Sequence, residues 1–241
     1  MLIIPAIDIK DGRCVRLLQG KKEEVTVYSD DPVSMAKHWV RLGAEMLHIV
    51  DIDGAFTGIQ KNLEVILAIR KAVEIPIELG GGIRSIEIIE SLVSLGIDRV
   101  IIGTSAVNDS GMFRKACDRF PEKVAVGVDA SDGKVAVKGW EELTEWDAVG
   151  FARHMESEGA SAVIYTDISR DGMLTGPNVE AMATMVDSLN IPVIASGGVS
   201  GIEDIKALMN VKGLIGVITG KALYAESLDL VKAIETVKGT G

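Results

Sequence analysis

Lys123-Val-Ala-Val-Gly-Val-Asp129-Ala-Ser-Asp-Gly-Lys-Val135 is a short apolar run that ends in a carboxylate. Near the start of the chain it has a counterpart, Leu2-Ile-Ile-Pro-Ala-Ile-Asp8-Ile-Lys-Asp-Gly-Arg-Cys14. Three more pairs follow in the same order. His48-Ile-Val-Asp51-Ile-Asp53 echoes Tyr165-Thr-Asp167-Ile-Ser169, and Pro76-Ile-Glu-Leu-Gly-Gly-Gly82 echoes Pro192-Val-Ile-Ala-Ser-Gly-Gly198. Val100-Ile-Ile-Gly103-Thr-Ser-Ala106 echoes Val217-Ile-Thr-Gly220-Lys-Ala-Leu223 more loosely. The displacements, from 8 to 129, 51 to 167, 82 to 198 and 103 to 220, all fall between 116 and 121 residues. Four matches at nearly one offset predict two half-repeats, roughly 1–122 and 123–241.

Each half holds four strand–helix units. Strand candidates 2–8, 46–51, 76–79, 99–102, 124–128, 162–166, 192–195 and 214–218 are nearly continuous in Ile, Val, Leu and Ala. Such runs fit strands buried on both faces. Between them lie helix candidates near 32–43, 63–73, 86–95, 109–119, 147–158, 178–189, 201–210 and 227–237. Asp31-Pro32 reads as an N-cap with Pro at the first helical position, and Gly43, Gly96 and Gly159 stand where helices should stop. Eight units in 241 residues predict an α/β chain folded as a single (β/α)₈ TIM barrel. An open doubly wound sheet is the main competitor, but it rarely uses eight evenly spaced units. No linker divides the chain, so 1–241 is expected to be one domain.

Composition narrows the partners. With 47% hydrophobic and 25% charged residues the chain reads as a globular domain, and at 4% aromatics its core must be aliphatic. The net charge of −10 and the lack of a dense Lys/Arg run argue against nucleic acid. Small anions remain suitable ligands, because helix N-termini bind phosphate without net positive charge. Cys14 and Cys117 lie far apart, with no metal-type spacing, which fits a reduced cytoplasmic state. No signal peptide or run of about 18 apolar residues is visible, so no membrane span is expected. The absence of an obvious interface motif makes a monomer the expectation.

Barrel active sites lie at the C-terminal ends of the strands. Here the third and fourth strands end in Gly80-Gly81-Gly82 and Gly103-Thr104, and the seventh and eighth in Ser196-Gly197-Gly198 and Gly220-Lys221. Glycine lets the backbone approach an anion, and the next helix supplies free N–H groups. Two matched sets on opposite sides of the mouth predict a bisphosphate substrate stretched across it, with Gly172 placed to close over the second phosphate. Asp8 and Asp129 end the opposed first and fifth strands and would flank the middle of that ligand. A symmetric pair points to general acid and base roles, one carboxyl protonated and the other ionised. Thr166 or Asp171 is placed to assist the acid. Asp51 and Asp167 end the second and sixth strands, and for Asp51 loop ordering is at least as good a reading as catalysis. Trp140 either stacks on a flat ring or anchors its loop, whereas Trp39 and Trp146 read as packing. The histidines do not cluster, and no metal-ligand set, Ser-His-Asp arrangement or P-loop stands out.

Taken in order, Pro5-Ala-Ile-Asp8, Gly80-Gly-Gly-Ile-Arg84, Val128-Asp129, Val135-Ala-Val-Lys-Gly-Trp140, Thr166-Asp-Ile-Ser-Arg-Asp-Gly172 and Ala195-Ser-Gly-Gly198 resemble the phosphoribosylformimino-aminoimidazole-carboxamide ribotide isomerases of histidine biosynthesis. The resemblance runs from the first strand to the last. It implies an Amadori rearrangement of an aminoaldose to an aminoketose without cofactor or metal. It also implies Asp129 as the acid that opens the ribose ring and Asp8 as the base that removes the neighbouring proton. The cyclase of the next step is a similar half-repeated barrel, but it typically begins Pro-Cys-Leu-Asp and lacks Lys-Gly-Trp. The bifunctional actinobacterial form usually carries Arg-Gly-Trp where this chain has Lys138-Gly-Trp140, which points to a monofunctional isomerase.

Overall fold

The first strand sets the pattern for the rest. β1 (Leu2–Lys10) is buried at every position except its two ends, as expected of a strand covered on both faces. A computed structural model describes residues 1–17, 20 and 24–239. After β1 come β2 (Arg13–Leu17), β3 (Val25–Ser29), α1 (Pro32–Arg41), β4 (Leu47–Asp51), α2 (Ile52–Thr57), α3 (Leu63–Ala72) and β5 (Ile77–Gly80). The chain continues through α4 (Ile86–Ser94), β6 (Arg99–Ile102), α5 (Thr104–Asn108), α6 (Ser110–Arg119), β7 (Val124–Ser131), β8 (Lys134–Val137) and β9 (Glu142–Asp147). It ends with α7 (Ala148–Ser157), β10 (Val163–Asp167), α8 (Val179–Asp187), β11 (Val193–Ser196), α9 (Ile202–Met209), β12 (Leu214–Thr219), α10 (Lys221–Tyr224) and α11 (Leu230–Lys238).

Eight parallel strands, in the order β1-β4-β5-β6-β7-β10-β11-β12, close on themselves through the β12–β1 pairing. This is the (β/α)₈ barrel expected from the spacing of apolar runs. Its interior is filled by small and branched side chains, among them Ile4, Ala6, Ile101, Ala125, Ala162, Ile164, Ile194 and Ile218. A larger aliphatic layer lies between the strands and the surrounding helices. The local signals act as read: Asp31 accepts from Ser34 N at 2.9 Å, and Gly43, Gly96 and Gly159 have φ of 96°, 93° and 98° just beyond their helices.

Two features exceed the expectation. The segments after β1 and β7 carry antiparallel hairpins, β2–β3 and β8–β9, which rise above the barrel mouth. Each begins at a two-residue Asp-Gly turn, Asp11-Gly12 and Asp132-Gly133, with both residues at positive φ. That is the turn whose twist suits a tight hairpin. In addition, α2, α5 and α10 are helices of four to six residues, too short to give a periodic signal.

Candidate active site

A cavity of about 270 Å³ opens at the C-terminal ends of the barrel strands. All the residues singled out for the site line it: Asp8, Asp129, Thr166, Asp171, Gly81, Gly82, Gly103, Thr104, Trp140, Gly172, Gly197, Gly198, Gly220 and Lys221.

Asp8 points into this cavity from β1. Its Oδ2 accepts from Arg16 Nη1 at 2.7 Å. Arg16 belongs to β2, and the Asp11-Gly12 turn folds it back so that Val15 lies opposite Asp8. The Arg16 guanidinium rests against the backbone of Gly220, where an added methyl would come within 1.4 Å of Nη2. It also faces the Tyr224 ring at 5.8 Å. Arg16 Nε and Nη2 are buried and find no hydrogen-bond partner among the described residues. They are donors held ready in the cavity wall.

Asp129 on β7 and Thr166 on β10 stand opposite one another in the parallel register. Burial pushes the Asp129 carboxyl up from the ordinary carboxylate range, while the Trp140 and Thr166 donors and the nearby His48 oppose that shift. Asp171, in the loop after β10, is pushed up to about 6, first by burial and then by the charges of Asp8 and Asp129, with Arg16 and Lys221 opposing. The cavity therefore holds three carboxyl groups in unequal surroundings. Asp8 has a guanidinium partner, whereas burial raises the other two above the ordinary carboxylate range.

The glycines have structural duties of their own. A methyl on Gly82 would sit 2.3 Å from the Gly54 carbonyl oxygen, and one on Gly198 2.5 Å from that of Gly176. Gly81 and Gly197 press in the same way on the backbones of Asp51 and Asp167. Close loop packing alone thus accounts for them. Gly103 and Gly220 differ: neither supplies a side-chain cap, so the first N–H groups of α5 and α10 are left uncapped beside the cavity. Lys221 Nζ donates to the Gly172 carbonyl at 2.7 Å, joining the two residues expected to meet at one phosphate. Across the mouth, the Thr104 hydroxyl accepts from Lys138 N at 2.9 Å.

Asp51 is fully buried. It accepts from Gly54 N at 2.9 Å and from Asn62 Nδ2 at 2.7 Å, so it orders the loop between β4 and α3. Asp167 accepts from Ser169 and from Asn178 Nδ2 at 2.8 Å in the loop before α8. Trp140 sits at φ 74°, with Lys138 at 56° and Gly139 at 69°, a run of left-handed residues between β8 and β9. Its ring lies over Gly20, so the two hairpins touch above the cavity. Trp39 is buried in the core as expected, whereas Trp146 is on β9, exposed and stacked on His154 at 5.5 Å, so it is not a core residue.

Sequence reasoning missed two residues of the site, Arg16 and His48. Arg16 was detectable in principle, because the Asp11-Gly12 turn fixes which residue returns beside Asp8. His48 lies in an apolar strand, and only the closed barrel gives it a cavity to face.

The fold and site define a class: a (β/α)₈ barrel whose mouth gathers several carboxyl groups between glycine-rich loops. Comparison with known sequences places it more closely. The sequence model of the family described as Histidine biosynthesis protein matches residues 2–229, and the chain belongs to that family. It is 57% identical to a protein of Thermodesulfovibrio yellowstonii, over 100% of this chain and 99% of that one. It is 56% identical to one of Acetivibrio thermocellus (99% and 100%) and 55% identical to one of Syntrophotalea carbinolica (99% of each). All three relatives are named 1-(5-phosphoribosyl)-5-((5-phosphoribosylamino)methylideneamino) imidazole-4-carboxamide isomerase.

Proposed function

We propose that this chain is an isomerase of histidine biosynthesis that converts an aminoaldose bisphosphate to the corresponding aminoketose by carboxyl acid–base catalysis. The observation that carries the reading is the set of unequal carboxyl groups in one cavity, flanked on opposite sides by the uncapped starts of α5 and α10. The relatives' name describes a substrate with two phosphoribosyl groups, hence two phosphates.

Protonated Asp129 gives its proton to the ribose ring oxygen while the nitrogen lone pair expels that oxygen, opening the ring to a Schiff base. Ionised Asp8, steadied by Arg16, removes the proton from the adjacent carbon and leaves an enol-amine. Asp8 returns its proton to the first carbon as the enol becomes the ketone, and the enol hydroxyl proton restores Asp129. No proton is gained or lost overall. Trp140 and Thr166 hydrogen-bond the Asp129 carboxyl and hold it in place, and in this reading the Trp140 ring, which borders the cavity, stacks on the imidazole. Gly81, Gly82, Gly103 and Thr104 bind one phosphate, and Gly172, Gly197, Gly198, Gly220 and Lys221 the other. The same reading takes the enzyme as a cytoplasmic monomer that needs no cofactor. It takes the barrel as two equivalent halves, a view supported by the matching Asp51–Asn62 and Asp167–Asn178 bonds, which each span 11 residues.

A second assignment gives the acid role to Asp171. It is favoured by the rise of that carboxyl to about 6 at the cavity wall. Turnover of Asp8→Asn, Asp129→Asn and Asp171→Asn decides among the three. Asp8→Asn and the variant of the true acid should keep substrate binding and lose about 10² or more in rate. Unchanged turnover in any one removes that residue from the mechanism. Assaying the wild type with the isomerase substrate, beside phosphoribosylanthranilate and the cyclase substrate, tests the reaction itself, and activity on the cyclase substrate alone, together with a glutaminase partner, would overturn it.

A further inference from the structure

Three ionisable side chains lie inside the barrel, where the neighbouring positions are aliphatic. His48 on β4, Glu78 on β5 and Arg99 on β6 are direct register partners on adjacent strands. Glu78 is fully buried. Its Oε1 meets His48 Nδ1 at 2.7 Å, and its Oε2 accepts from Arg99 Nε at 3.0 Å and Nη2 at 2.5 Å. Arg99 makes a further contact with Met46 Sδ at 3.6 Å. Burial opposes ionisation of Glu78, but His48 and Arg99 together hold it below the usual carboxylate range.

Burying such a set is expensive, and well-packed apolar residues of similar volume often do as well or better for stability. The arrangement therefore calls for a reason other than stability. Its position supplies one. His48 pairs with Ala6, one interior layer below Asp8, and its ring lines the floor of the cavity. An ionised Glu78 can only accept, so Nδ1 must carry a hydrogen toward it. Nε2 is then the ring nitrogen left for the cavity. The charged groups around the ring are Glu78 from β5, Arg99 behind it from β6, Asp8 above from β1 and Asp129 across the cavity from β7.

We propose that Glu78, clamped by Arg99, is a positioning residue that fixes the His48 ring and its Nδ1 hydrogen, so that Nε2 accepts a hydrogen bond from a hydroxyl of the reacting sugar. Glu78 touches no substrate and acts through His48. The inference rests on the isomerase reading for its consequence but not for its geometry. Carboxylate partners that orient metal-binding imidazoles contribute about 10- to 100-fold, and the lower end of that range sets the scale expected for this metal-free ring.

The test has two arms. The first needs no substrate. Nitrogen-15 spectra distinguish the two neutral tautomers, and with three histidines in the chain His48→Gln assigns the signal. At a pH where the ring is neutral, the wild type should show His48 with hydrogen on Nδ1, and Glu78→Gln should show a mixture. The second arm is kinetic. Glu78→Gln should lower kcat about tenfold with KM within about twofold, His48→Gln should do at least as much, and the double variant should lose no more than His48→Gln alone. Hydrogen on Nε2 in the wild type, an unchanged kcat in Glu78→Gln, or losses that multiply in the double variant would each overturn the proposal. If the stranded Arg99 cation prevents Glu78→Gln from folding, Glu78→Gln/Arg99→Met removes both charges and gives the same readouts. Failure of the isomerase reading would appear separately, as absent wild-type turnover, while the tautomer result would still stand.

Discussion

Arg16 shows how one side chain can tie several parts of the site together. It pairs with Asp8 at 2.7 Å and lies flat on Gly220, at a position where a methyl would come within 1.4 Å of its guanidinium. Gly220→Ala should therefore act on Asp8 without touching it. The expected result is a fall of about 10² in kcat/KM, because a displacement of about 1 Å at a catalytic group has that scale of effect. Steady-state kinetics of the variant check this. Asp171 offers a second prediction. In the folded chain it keeps its proton up to about pH 6, against an ordinary value of 3.8. Between those values the folded state binds the extra proton, so this group's stabilisation is full below about 4 and is lost as the pH rises through about 6. Asp171→Asn should flatten that part of the curve of Tm against pH. Asp8, Asp129, Thr166 and Asp171 were legible because strand ends and the loops just beyond them face the mouth of a barrel. Arg16 and His48 were not, because their approach depends on a hairpin register and on closure of the sheet.

The helices and barrel strands could be read from apolar spacing and caps, since strands buried on both faces and amphipathic helices leave different patterns. The hairpins were harder to see. β9 is mostly exposed and β3 only partly covered, so neither leaves the continuous apolar run that marks a barrel strand. What builds them is the Asp-Gly turn. Gly133 has φ of 75° and no atom near where a side chain would start, so Gly133→Val tests backbone conformation alone. It should cost about 1–2 kcal/mol in urea unfolding, the penalty for a side chain in the left-handed region. It should also reduce turnover, because β8–β9 carries Trp140 to the cavity. Unchanged unfolding with reduced turnover would place the hairpin outside the cooperative fold.

At the scale of the whole molecule, an anion site has to work against a net charge of −10. The proposed phosphate sites rely on backbone N–H groups and Lys221 instead of a broad basic surface, so attraction should be local. Inorganic phosphate at millimolar concentration should raise Tm in a saturable way, while chloride at matched ionic strength should not. A rise of equal size with both salts would remove the two-phosphate reading. The displaced sequence pairs make the opposed glycine loops visible in the sequence itself. They left unseen the close loop packing at Gly82 and Gly198, for which no ligand is required.

The contact of Trp140 with Gly20 carries one more consequence. Of the three tryptophans, Trp39 is enclosed in the core and Trp146 is stacked on His154 at 5.5 Å beside α7, so only Trp140 borders the cavity. Its indole is an optical probe built into the entrance. A ligand that parts the two hairpins should therefore change the surroundings of that one chromophore, and a shift in tryptophan emission on adding it would report the event.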